Sequence, residues 1–221
     1  MRLAVVGDAD AAGLAGLDGS FDWGEAITAA PGAVPDADVA VELTTAGLRV
    51  TAGGTELATR TPWPAREELY DLPAPPGPRV LVAGPEAARA EVVTKLRGRS
   101  LPVAEADRLD AAGLAGASVV ALLGEPDGDA LPPEAPAVLA ARRVLIAPRR
   151  PITFGLLAGT DHLAFDTGDD VVQYADTALT FPDSLDVFRV FGALTARQHR
   201  APVAYGRIAV TAALRSAARR G

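Results

Sequence analysis

Cysteine is absent from this chain of 221 residues, methionine and lysine (Lys95) occur once each, and histidine occurs twice, as His162 and His199. Without cysteine there is no disulfide framework and no thiolate metal site. A zinc set would have to combine carboxylates with a single imidazole, and the two histidines, 37 residues apart, give that no support. Aromatic residues make up only 5% of the chain, so a core must be built from Ala, Val and Leu. Long apolar runs are missing too. The opening MRLAVVGDAD has one arginine and five apolar residues before acids intervene, which is short of a signal-peptide core or a membrane span. A soluble, cytoplasmic protein is expected. No GxxxxGK[ST] occurs, which excludes a P-loop, and no GxSxG occurs, which leaves a serine hydrolase unsupported.

What is present is an ordinary 49% of hydrophobic residues, in a chain long enough to bury roughly 70% of its unfolded surface. The net charge of −7 is unevenly spread: residues 1–75 hold 12 acids and 4 arginines, the remainder 16 acids and 17 bases. The acidic first segment would repel nucleic acid. After Asp186 there are no acids and seven arginines, from Arg189 to Arg220. They suit a solvated helix face, or a surface for anions or a protein partner.

Six prolines between Thr61 and Arg79, including the stretch PAPPGP, can sustain neither a helix nor a central strand. They divide the chain into a small β-rich N-terminal unit (1–60), a proline-rich linker (61–78) and a third segment (79–221). In the first unit, Arg2 to Val6 and Val39 to Thr44 read as strands, with Glu42 pointing outward, and a short helix is expected around Trp23 to Ala30. Leu48 to Ala52 and Thr55 to Thr59 alternate about Gly53-Gly54, a two-residue hairpin turn that sets Val50 opposite Leu57.

Beyond the prolines, short apolar runs alternate with helical periods, the pattern of an α/β fold with a mainly parallel, Rossmann-like sheet. Strands are expected at Val80 to Ala83, Leu101 to Ala104, Ser118 to Leu123, Val144 to Ala147 and His162 to Phe165. Helices fall at Pro85 to Arg97, Leu109 to Leu114, Glu134 to Ala141 and Asp169 to Leu179, with two more after Ser184 that cover the sheet. Gly7 and Gly84 each end a strand, where backbone N–H groups can hold phosphate. Neither completes a dinucleotide fingerprint: Gly7 and Gly13 lack the middle glycine, and Gly84 is followed by Pro85. His199, in ARQHRA, suits a helix C-terminus. His162 follows Gly159, Thr160 and Asp161 at a sheet edge, where a ligand can reach it.

Several segments together carry a family resemblance: LPPEAPAVLAARRVLIAP, then Gly159, Asp161, Leu163 and Phe165 in GTDHLAF, then the acid-capped Asp169 to Leu179, then RQHRAPVAY. From about Arg79 to Tyr205 the chain resembles the C-terminal Rossmann-like domain of GT-B glycosyltransferases of the CgeB-like, family-1-like kind. The resemblance implies a nucleotide-sugar donor as substrate and no separate cofactor. The donor would lie near Arg149, Arg150, Gly159, Asp161 and His162, with Glu134 standing in for the family's ribose-binding glutamate.

The chain also departs from that family. In EAMAxG, the family's helix motif, the glutamate position falls on Ala137 and the glycine position on Arg142 when the chain is aligned on Val144. A methyl group cannot accept ribose hydroxyls, and an arginine can fill the nucleotide's space. A GT-B cleft closes between two domains of similar size, and about 75 residues before the third segment make a small partner. The expectation is a glycosyltransferase-like protein. Either it binds a donor, or it is a non-catalytic binding or assembly module that meets a protein partner or a second copy through its C-terminal helices.

Overall fold

The computed structural model describes residues 1–7, 20–22, 24–30, 36–44, 47–125 and 127–218. Gly13 and Trp23, which figured in the sequence reading, lie outside them. The chain divides into two compact units, residues 1–67 with 198–221, and residues 68–197.

The first unit is a mixed sheet of six strands: β1 (Arg2–Val6), β2 (Ser20–Phe21), β3 (Gly24–Ala29), β4 (Val39–Thr44), β5 (Gly47–Ala52) and β6 (Thr55–Thr61), ordered β2-β3-β1-β4-β5-β6. Strand β1 pairs in parallel with both β3 and β4. The β5–β6 hairpin turns on Gly53 and Gly54, at φ 54° and 74°, and it sets Val50 opposite Leu57 as expected. In place of the expected helix near Ala30 there is β3. Its alanines and glutamate favour a helix locally, but pairing along the whole of β1 prevails. Gly24 makes that approach possible, because a Cβ there would stand 2.0 Å from the Met1 carbonyl oxygen.

The parallel unit holds β7 (Val80–Ala83), β8 (Val103–Ala106), β9 (Val119–Leu122), β10 (Val144–Pro148) and β11 (Leu163–Phe165), ordered β11-β10-β9-β7-β8 and parallel throughout. Counted along the chain this is the 2-1-3-4-5 order of a doubly wound sheet. The inner strands β7, β9 and β10 are buried along their whole length, which is why they read as unbroken apolar runs. The helices are α1 (Glu86–Gly98), α2 (Ala111–Gly116), α3 (Ala135–Ala140), α4 (Gly168–Thr180) and α5 (Asp186–Ala196). Helices α1 and α4 pack together, as do α3 and α5. At the second contact a Cβ on Gly192 would meet Leu139 at 2.8 Å.

The last helix, α6 (Ala201–Ala218), does not cover the parallel sheet as the sequence suggested. Its Ala201, Tyr205, Ile208 and Ala212 enter the core of the first unit with Leu3, Val5, Val41 and Val50. The segment between the units is not a bare linker either. Trp63 donates to the Thr44 carbonyl and Ala65 N–H to that of His199 within the first unit. Within the parallel unit, Leu69 is buried, the Tyr70 hydroxyl donates to the Ala196 carbonyl and Arg143 donates to that of Pro73. Among the described residues no helix is long and apolar enough to cross a membrane.

Candidate functional site

In a doubly wound sheet, ligands gather outside the carboxyl ends of the strands, at the switch point where the chain leaves the first strand in opposite directions. Here that point lies between β7 and β9. Gly84, at φ 131°, brings its turn so close to β9 that a Cβ would stand 2.3 Å from the Leu123 carbonyl oxygen. From the first turn of α1, the nearly buried Arg89 donates to the carbonyls of Gly84 (3.0 Å) and Ala106 (2.9 Å) and to the Asp107 carboxylate. Through one terminal nitrogen that guanidinium joins the ends of β7 and β8, while its buried Nε finds no hydrogen-bond partner among the described residues.

The helix N-termini along this edge are also supplied with acids from the chain. Glu86 lies in the first turn of α1, behind Pro85 at its N-cap. Asp110 caps α2 by accepting from Gly113 N–H at 2.6 Å. Glu134 stands at the N-cap of α3. Helix α4 opens with a capping box, in which Thr167 accepts from Asp170 N–H and Asp170 accepts in return from Thr167 N–H, beside Asp169. The Asp170 carboxyl is held below the usual carboxylate range, first by the Thr167 and Asp166 N–H groups and the Thr167 hydroxyl. Anions favour helix N-termini because free N–H groups and the dipole face them. At α2 and α4 a side chain of the chain already caps the terminus, and at α1 and α3 an acid lies in the first turn or at the N-cap without a side-chain capping bond.

No protein-family model matches the chain, and no curated protein matches it.

Arg149 and Arg150 follow β10 at the carboxyl edge. Arg149 Nε lies 3.2 Å from both carboxylate oxygens of Asp166 in an exposed pair. Arg150 donates to the Glu125 carbonyl at 2.7 Å. Glu134 is half-buried at the same edge; burial raises its pKa, while Arg108 works in the opposite direction. Asp161 and His162 lie elsewhere, because the 14 residues from 149 to 162 form the return crossover from β10 to β11. In β11 the first residue, Leu163, pairs with Ile146 midway along β10, so this short strand starts well inside the sheet.

Asp161, 2% exposed, accepts from Leu157 N–H at 2.8 Å and from the Thr195 hydroxyl of α5 at 2.9 Å, fastening the crossover to that helix. His162 is 1% exposed, and its Nδ1 finds no hydrogen-bond partner among the described residues. Burial lowers its pKa, Asp161 opposes that and Arg149 adds to it. Gly159, at φ 81°, donates its N–H to the His162 carbonyl and closes the turn of the crossover. Of the six residues singled out from sequence, two arginines and Glu134 stand at the edge, and Gly159, Asp161 and His162 build the crossover. Gly7 is also engaged, donating its N–H to the Ala29 carbonyl.

Arg142 does not reach into the carboxyl-edge crevice. Helix α3 runs back against the strands, so its start at Glu134 belongs to the carboxyl edge and its end at Arg142 to the amino edge. There Arg142 lines a cavity of about 720 Å³ together with Ser118, which precedes β9, and Pro78, shortly before β7. The sequence reading missed this cavity. The only signals for it were the arginines after Asp186 and an arginine where the resembled family has glycine.

Proposed function

We propose that this chain is a non-catalytic binding module on a glycosyltransferase-like, Rossmann-like sheet, in which the donor crevice has been taken over by structural interactions. The observation that carries the reading is the set of carboxylates, Glu86, Asp110, Glu134 and Asp170, at the four helix N-termini along the carboxyl edge. Positioning and stabilising a departing diphosphate supply most of the rate in transfer chemistry of this kind. A site that meets the diphosphate with carboxylates works against both. Ala137 in place of the family's ribose-binding glutamate agrees with this.

A second reading, retained binding of a nucleotide-sugar donor, is favoured by one observation: Arg149 and Arg150 stand side by side after β10, and guanidinium forks suit phosphate oxygens. To bind a diphosphate, Arg149 would have to leave Asp166, an exposed pair of the kind worth only about 0–1 kcal/mol.

Thermal-shift measurements on the whole chain with UDP, GDP, ADP, their sugar conjugates and NAD separate the two. A ligand at about a hundred times its dissociation constant stabilises by about 2.7 kcal/mol. Flat curves across the panel are expected. A nucleotide-specific rise in Tm that disappears in Arg149→Ala would replace the first reading with the second.

A further inference from the structure

At the amino edge of the parallel sheet, the about 720 Å³ cavity lies entirely within residues 68–197. Its volume falls within the range typical of small-molecule sites, about 300–1,000 Å³. Four arginines line it, Arg142, Arg143, Arg189 and Arg197, against the single acid Asp186. Asp186 is taken by Arg189, which also donates to the Pro182 carbonyl. Arg143 is 2% exposed and spends its Nε and one terminal nitrogen on the carbonyls of Leu114 and Pro73. Burial, and after it the nearby Arg189, lower its pKa. Arg142 and Arg197 are exposed and make no side-chain hydrogen bond or ion pair among the described residues. Between these cations the wall is apolar: Leu72, Leu179, Val190 and Leu194.

Backbone geometry gives an independent indication. Helix α3 ends in a Schellman turn, with Arg143 N–H donating to the Val138 carbonyl and Arg142 N–H to that of Leu139. Arg142 occupies the left-handed position of that turn at φ 56°, the place where glycine is the usual residue. A non-glycine residue here opposes stability, and this one presents an unpaired cation to an apolar cavity.

We infer that the amino-edge cavity binds a small organic anion with an apolar body, its carboxylate or phosphate held by Arg142 and Arg197 and its aliphatic or aromatic part against Leu179, Val190 and Leu194. The excess of three positive charges over the lining acid selects an anion, and the apolar wall selects against a bare inorganic ion. This inference goes beyond the reading of the carboxyl edge and does not depend on it.

The test is a fluorescence titration of the whole chain with 8-anilinonaphthalene-1-sulfonate, followed by displacement. One probe should bind per chain, and decanoate and decyl phosphate should displace it, while decanol, inorganic phosphate and UDP do not. Arg142→Gly should raise Tm by about 2–4 °C, since glycine relieves the left-handed strain. The same variant should weaken probe and decanoate binding about tenfold. A structural role alone would raise stability without touching affinity. Leu194→Asp, at an exposed position, should abolish binding with Tm little changed. Equal displacement by decanol or by inorganic phosphate would overturn the inference. So would unchanged affinity in Arg142→Gly, or a chain that sediments as a dimer in which the cavity is covered and takes no probe.

Discussion

Arg142 and Gly84 show how two residues in left-handed or related backbone conformations are put to opposite uses. At Gly84 glycine is demanded: the turn lies against β9, and a side chain would collide with the Leu123 carbonyl oxygen at 2.3 Å. Gly84→Ala is expected to destabilise the parallel unit by about 2–3 kcal/mol, from backbone strain together with that collision; urea unfolding followed in residues 80–123 by hydrogen exchange measures it. At Arg142 glycine would fit better than the residue present. His162 gives a third prediction at this scale. Its folded pKa lies below the ordinary value near 6.5 because burial disfavours the charged ring, with Asp161 opposing and Arg149 adding. The unfolded chain therefore takes up this proton more readily than the folded one. Stability is complete above the ordinary histidine value and is lost as pH falls below it, until the folded group titrates as well. His162→Phe should keep more of its Tm than the unaltered chain when pH is lowered from about 7.5 to about 5. An equal loss in both would refute that assignment.

Among the elements, the ones written in local chemistry were legible in the sequence. The hairpin at Gly53-Gly54 was fixed by two residues that accept positive φ, and the start of α1 by Pro85 and Glu86; its end turns on Ser100, at φ 58°, rather than on Gly98. The buried strands β7, β9 and β10 declared themselves as apolar runs. What was not legible depended on distant partners. Strand β3 has helix-favouring residues and is a strand because β1 and β2 lie on either side of it. Helix α6 shows an apolar face in its sequence, Ala201, Tyr205, Ile208 and Ala212, but nothing local says which of two Val- and Leu-rich sheets will receive it. The roles of Asp161 and His162 were hidden for the same reason, since Thr195 on α5 meets Asp161 from 34 residues away. Fully buried Tyr205 makes the destination of α6 testable. Tyr205→Ala should cost the first unit about 3–5 kcal/mol, read as faster hydrogen exchange in β1, β4 and β5 with β7, β9 and β10 unchanged. Because the chain holds two compact units, exchange resolved by residue is more informative than a single unfolding midpoint.

For the molecule as a whole, both ends of the chain contribute to one unit and the middle forms the other. The parallel unit has the strand order of a ligand-binding sheet, and its usual ligand edge carries internal contacts: Arg89 on carbonyls, the α2 and α4 N-termini on their own acids and Arg149 on Asp166. Arg142 and Arg197, which make no side-chain hydrogen bond or ion pair among the described residues, lie at the opposite edge, beside an apolar wall. A fold of this kind does not by itself imply the activity of the proteins it resembles, and here the positions of charge argue for a different use of it. The most direct measurement is an amide NMR titration of the whole, isotope-labelled chain, first with UDP and then with decanoate. Decanoate should move the amides of Leu72, Ala74, Gly77, residues 142–143 and 189–197 and leave Gly84, Glu125, Arg149 and Arg150 in place, while UDP should move neither set. A saturable UDP response centred on Gly84 and Arg149, with no decanoate response at Arg142, would contradict the account.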